Sequence, residues 1–183
     1  MILPIYTYGH PILRKQTEEI TPDYPELKAL IGNMFDTMYH AEGIGLAAPQ
    51  IGLAIRLLII DLDPLKEDDT ELGSFKVVMI NPLMLEMSEE EEEASEGCLS
   101  IPGISEKVVR AEWIKVKYLD EHFNEHIEEF EGFKARVVQH EYDHLEGNLF
   151  TDHINPLRRQ LIKSRLTNIA KGKASCDYKI KSA

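Results

Sequence analysis

Residues 139 to 147 read QHEYDHLEG, and the two histidines and the glutamate at positions 140, 144 and 141 restrict the fold more than any other feature of the chain. Histidines four apart on a helix lie about 40° apart around its axis. Both rings can therefore reach one metal ion, with Glu141 on the same side as a general base. The flanking residues call for a helix and for its burial. From Phe133 to Leu149, apolar side chains stand at 133, 137, 138, 145 and 149, no proline intervenes, and Gly147 is the only glycine and marks the end. Polar groups on the inner face of a buried helix need partners. A metal is the simplest partner for two imidazoles and a carboxylate.

Two histidines underspecify a catalytic site, which normally takes three protein ligands and keeps one position for water. A metzincin places its third histidine where this chain has Phe150. A thermolysin-like enzyme takes a glutamate from a later helix, but Glu146 is the last glutamate here. Asp152 and His153 follow too closely and read as caps or covers for the helix end. Upstream, Cys98 lies in EGCLS, residues 96 to 100, beside a glycine that lets backbone come close to a site. Taken alone, such a cysteine reads as a small buried hydrophobe. Residues 43 to 50, GIGLAAPQ, are small except for Gln50, whose neutral amide can polarise a carbonyl without titrating. The plainer reading of that segment is a tight loop after a helix.

The rest of the chain sets the class. Helical periodicity runs from Pro25 to Ala41, and short β-branched runs at Arg56 to Leu62 and Lys76 to Ile80 flank the polar loop 63–74. Lys115 to Leu119 and Glu125 to Phe130 read as a hairpin around DEHFN, in which His122 and His126 are surface residues. Leu157 to Ala170 reads as a helix, with Asn155 as N-cap and Pro156 in its first turn. The acidic run Glu89 to Glu93 reads as a solvated edge or loop. Strands in the middle and helices near 25, 133 and 156 give an α+β fold, antiparallel strands around a central helix with a further helix at the C-terminal end. The expected organisation is one domain over residues 1–183, with 156–183 a basic helix and tail.

Charge and cysteine usage limit the partners. Residues 156–183 hold eight Lys or Arg against Asp177 alone, so the net −12 divides into +7 there and −19 over residues 1–155. Such a body repels polyanions, DNA included, while the tail attracts them. No apolar run is long enough to span a membrane, and the start MILPIYTYGHPILRK lacks the features of a signal peptide. The expected address is the cytoplasm, where Cys98 and Cys176 remain thiols or ligands.

The three segments GIGLAAPQ, EGCLS and QHEYDHLEG, in that order, resemble the signature motifs of the peptide deformylases. The similarity extends to YGHPILRK and VVRAEWIKVKYLD, and so over most of residues 4 to 160. The resemblance implies that Cys98, His140 and His144 hold a divalent metal, Fe(II) first, with zinc, nickel or cobalt as alternatives. It implies that Glu141 is the acid/base, and that Gln50 and the backbone N–H of Leu99 form the oxyanion hole. The implied substrates are N-formylmethionyl nascent polypeptides, with Ile44, Gly45, Phe133 and Val137 as candidate lining for the methionine. It further implies a pairing of Glu96 with Arg110 that braces the Cys98 segment. Arg136, one turn before His140, is expected to reach the pocket mouth. The basic tail, through Arg158, Arg159, Lys163 and Arg165, is the candidate for docking on ribosomes.

Overall fold

The computed structural model describes residues 1–66, 72 and 75–183. In chain order its strands and α-helices are β1 (Ile5–Tyr6), α1 (Leu27–His40), β2 (Gly45–Ala47), β3 (Leu57–Asp61), β4 (Lys76–Met87), β5 (Glu91–Cys98), β6 (Ile101–Ala111), β7 (Trp113–Leu119), β8 (Glu125–Glu131), α2 (Gly132–Leu145), α3 (Pro156–Ala170) and β9 (Ile180–Lys181). Strands β2-β3-β4-β7-β8 form an antiparallel sheet, β5 and β6 form a separate hairpin, and β1 and β9 pair in parallel. The fold is α+β, as the sequence implies. Part of the polar loop 63–74, namely 67–71, 73 and 74, lies outside the described residues.

Every residue of β3 is buried because both its faces are covered. Leu58 and Ile60 point to α2 and pack with Val138 and Leu145, while Leu57 and Ile59 point to α1 and pack with Ile31, Met34 and Met38. That two-sided burial explains the unbroken run LLII, where a one-sided strand would alternate. Helix α2 is thereby enclosed by the sheet on one side and by β6 on the other. Gly147, with φ 75°, terminates its last turn two residues beyond Leu145, and a side chain there would meet the backbone of Arg14.

One strand runs well beyond its expected limit. Strand β4 continues past Ile80 to Met87 by means of an irregularity at Asn81-Pro82, where the pairing with β7 shifts between Ile80 and Leu83. Asn81 takes φ 50°, and its side chain bonds both backbone groups of Ile20, while the strand's own backbone is met by Arg56, whose O accepts from Asn81 N at 2.8 Å and whose Nη2 donates to Pro82 O at 2.7 Å. The acidic run is the exposed start of β5, whose partner β6 alternates from Ile104 to Arg110, burying positions 104, 106, 108 and 110. Helix α3 begins with Asn155 accepting from Leu157 N at 2.8 Å, as its sequence suggests. It packs through Ile162, Leu166 and Ile169 onto Ile101, Ile104 and Val108, at about 1.5–3 kcal/mol for each fully buried side chain. Among the described residues, no helix is long and apolar enough to cross a membrane.

Candidate active site

Period-two alternation along β5 puts Glu96 and Cys98 on one face, turned toward α2. Helical spacing on α2 puts His140 and His144 opposite them. The Cys98 sulfur and one nitrogen of each ring all lie within 4.8 Å of one another. Cys98 Sγ is 3.3 Å from His144 Nε2. His140 Nδ1 is 2.9 Å from Glu96 Oε2, which leaves Nε2 as its free nitrogen. One sulfur and two imidazole nitrogens form a donor set suited to a borderline divalent ion.

The electrostatics follow from the packing. Burial pushes the Cys98 thiol up, but the His144 and His140 rings outweigh it and bring the thiol down to about 5, which favours the thiolate. Burial raises the Glu141 carboxyl, and despite the two histidines it stands at about 7. Glu96 is disfavoured by burial too, yet His140 and Arg110 hold it well below the usual carboxylate range. Glu141 Oε2 and His144 Nδ1 are buried and meet no hydrogen-bond partner among the described residues. An orphaned carboxylate oxygen beside the cluster leaves an acceptor for a water or for a substrate amide.

Around the cluster, side chains hold each other in fixed positions. Arg110 grips Glu96 through Nε and Nη2, each at 2.9 Å, and reaches Asp143 through Nη1 at 2.5 Å. Asp143 also bonds His153 at 2.8 Å. The expected Glu96–Arg110 pair therefore forms, and it is one part of a larger network. Arg136 lines the cavity that opens onto the cluster, as expected, and is at the same time almost wholly buried. Its guanidinium is buried, donating to Glu96 Oε1 at 2.8 Å, Val108 O at 2.9 Å and Glu92 O at 2.7 Å. It ties α2 to both strands of the hairpin. Asp152 accepts from Leu149 N and from Arg14 just past the helix, while His126 stacks on Tyr118 at the surface.

A cavity of about 330 Å³ opens onto the cluster, lined by Ile44, Gly45, Gln50, Cys98, Leu99, Phe133, Arg136, Val137, His140 and Glu141, together with Glu42, Gly43 and Ser95 to Gly97 near them. Of the proposed metal-holding, catalytic and methionine-lining residues, His144 alone is not part of this lining. Segment 43–50 is not merely a loop. Its first part is the edge strand β2, which pairs with β3, and its second is a short 3-10 helix at Ala48–Ile51. Gln50 Oε1 accepts from Ala47 N at 2.8 Å, which fixes the amide so that Nε2 faces Ser100 Oγ at 3.2 Å and Cys98 Sγ at 3.5 Å. Gly45 is where β2 passes Glu141 at closest range, and a Cβ there would run into the Glu141 carboxylate.

Comparison with known proteins agrees with this geometry. The polypeptide deformylase family model matches residues 2–160. The peptide deformylase of Flavobacterium psychrophilum is 53% identical over 99% of this chain and 97% of its own length. The crystal structure of a peptide deformylase from Legionella pneumophila superimposes with a TM-score of 0.81 at 38% identity, covering 94% of this chain and 98% of that one. The corresponding values for the enzyme from Thermotoga maritima are 0.77 and 42%, with 85% and 99% covered. The chain therefore belongs to the polypeptide deformylases, the metal-dependent hydrolases that remove the N-formyl group from the N-termini of nascent proteins.

Proposed function

We propose that Cys98, His140 and His144 hold the metal of this hydrolase, that Glu141 moves the proton, and that Gln50 and the Leu99 N–H receive the developing oxyanion. The observation that carries this reading is the convergence of Glu141, Gln50 and the Cys/His/His cluster on one cavity. A divalent ion held there supplies Lewis acidity, which lowers the pKa of a water toward about 7. Glu141 accepts a proton from the attacking water and delivers it to the amine as the C–N bond breaks. Its raised pKa of about 7 suits both halves of that transfer. Gln50 Nε2 and the Leu99 N–H donate to the carbonyl oxygen as it gains charge, each worth about 3 kcal/mol at the barrier.

Ile44, Gly45, Phe133 and Val137 are the proposed contacts of the methionine side chain. The discrimination is steric: a formyl carbon bears only hydrogen, so the crowding of β2 against Glu141 excludes larger acyl groups. The mixed sulfur and nitrogen donors support Fe(II) as the resident ion, with zinc, nickel and cobalt accommodated. Residues 1–183 are read as one catalytic unit. Docking on ribosomes through α3 is the further proposal for its basic face. There, Arg158 pairs with Glu106 at 2.9 Å and Arg159 with Asp152 at 3.5 Å, while Lys163 is exposed. Two of the four charges are thus partly neutralised by the body, which weakens that proposal.

Formate release from a formyl-Met peptide, by anaerobically purified protein and by its Glu141→Ala variant, tests the site. The variant should retain metal and lose at least about 100-fold in turnover. Near-parental turnover at full metal occupancy sinks the assignment. Co-sedimentation with ribosomes at low and high salt, with the four basic residues neutralised, decides the docking.

A further inference from the structure

The chain beyond residue 160 lies outside the family match, yet it returns to the site. After α3, strand β9 pairs with β1, with Ile5 N donating to Lys179 O at 2.8 Å and Thr7 N to Lys181 O at 3.0 Å. Lys181 Nζ donates to the Tyr6 hydroxyl at 3.2 Å and lies 5.0 Å over its ring. The Tyr6 ring in turn sits against Gly52, where the 3-10 helix bearing Gln50 ends. This docking brings the hydroxyl of Tyr178 to 2.7 Å from the Leu99 carbonyl, to which it donates.

The turn it meets needs support from outside. Leu99 and Ser100 join Cys98 to Ile101, a pair of residues that face each other across the hairpin. Two-residue hairpin turns match the twist of their strands when a central residue takes positive φ, which is why Gly and Asn prevail there. Neither Leu99 nor Ser100 has positive φ. The adjacent ladder is irregular as well, jumping from Gly97↔Ser105 to Cys98↔Ile101. Both turn carbonyls are bound by other segments: Ser100 O accepts from Tyr8 N at 2.8 Å, and Leu99 O from Tyr178.

We propose that Tyr178 is a positioning residue for deformylation, holding the Leu99 carbonyl and through it the orientation of the Leu99 N–H. The inference rests on reading that N–H as an oxyanion donor. Only the φ and ψ of Leu99 separate its N–H from its C=O. Pinning the carbonyl therefore restricts the amide, whereas the Ser100 anchors act one residue further along.

Tyr178→Phe removes the hydroxyl and keeps the ring. Its kcat should fall about 3- to 10-fold, the reach of one neutral hydrogen bond, while KM for a formyl-Met peptide stays within about 2-fold. Metal content should match the parent, melting should fall by no more than about 6 °C, the reach of that one hydrogen bond on stability, and backbone amides at 98–101 should exchange faster while those of α2 do not. An unchanged kcat overturns the proposal. So does a loss of kcat that follows metal content or global stability, since the tyrosine would then only support the fold. Glu141→Ala, measured alongside, separates the two readings. If it keeps turnover, the site assignment fails and this inference with it; if it is inactive while Tyr178→Phe equals the parent, only the role of the tail fails.

Discussion

Replacing Glu96 with glutamine tests how far His140, the proposed metal ligand, depends on its supports. Glu96 accepts two hydrogen bonds from Arg110, one from Arg136 and one from His140 Nδ1, all between 2.8 and 2.9 Å, and its side chain is 5% exposed. Glutamine keeps the shape but has a single acceptor oxygen. With that oxygen toward Arg136 and Arg110 Nε, its NH2 faces Arg110 Nη2 and His140 Nδ1, donor against donor. Two charge-assisted hydrogen bonds are then lost, at about 1.5–3 kcal/mol each. Leaving buried guanidinium groups short of a carboxylate costs about 3–5 kcal/mol in comparable cases. At about 2–4 °C per kcal/mol for a chain of this size, melting should fall by about 10 °C or more. His140 responds as well. An NH2 opposite Nδ1 favours the tautomer with its proton on Nε2, the nitrogen otherwise free for a metal, so affinity should drop about 10- to 100-fold. Scanning fluorimetry on metal-free protein and chelator competition for Co(II) read the two effects separately. A variant that melts with the parent and binds Co(II) equally well refutes the bracing argument.

The remaining predictions address single atoms of the site. Cys98→Ala should lose its metal, whereas Cys176→Ala, altered at a tail thiol 3.5 Å from Tyr178 O, should keep full occupancy by metal analysis. The reverse pattern would move the ligand. Gln50→Leu should lower kcat more than it raises KM, because its bond to the carbonyl oxygen strengthens mainly in the transition state. Equal losses traced to a disturbed 98–100 turn would leave Gln50 structural. Gly45→Ala places a methyl against Glu141, 2.8 Å from its Cδ and 2.9 Å from its Cγ. Turnover should drop about 100-fold by misplacement of the carboxylate, with the metal retained; parental turnover would show that the base tolerates displacement.

Local periodicity made the fold largely legible. Helices α1, α2 and α3 and the β7–β8 hairpin fall within a few residues of their expected limits, because each carries its own apolar repeat and its own stop. What stayed unread depends on pairing. Strand β4 runs past Ile80, where its β-branched run ends, because Arg56 binds the backbone of Asn81 and Pro82 at the irregularity. The β5–β6 hairpin was invisible as such: β5 opens with exposed glutamates, and the alternation of β6 interleaves Glu106 and Arg110 with its apolar residues. Those charges are buried because partners meet them from elsewhere, Arg158 for Glu106 and Glu96 with Asp143 for Arg110.

Arg136 shows where a closer reading of the sequence could have gone further. It stands one turn before His140, on the face of α2 turned toward β5 and β6, where its guanidinium is buried, and a buried guanidinium requires a carboxylate. Glu96 had already been paired with Arg110, and nothing in the sequence indicates that one carboxylate serves two arginines and an imidazole. The balance becomes clear when the buried groups are considered together. Arg110 and Arg136 offset Glu96 and Asp143, which leaves the Cys98 thiolate and Glu141 facing the His140 and His144 rings; burial lowers the His140 pKa, but Cys98 and Glu96 raise it well above its ordinary value, so without an ion His140 supplies the balancing positive charge. A divalent cation held by the sulfur and the two imidazoles, as proposed, would take over that charge with His140 neutral. The bracing network is therefore neutral by itself, so replacing a brace with an uncharged residue disturbs the metal site in two ways: by releasing His140 and by shifting the charge that the cation must meet. For that reason Arg136→Met, which removes a positive charge but leaves Glu96 bound to Arg110 and His140, should weaken the fold while retaining more metal affinity than Glu96→Gln.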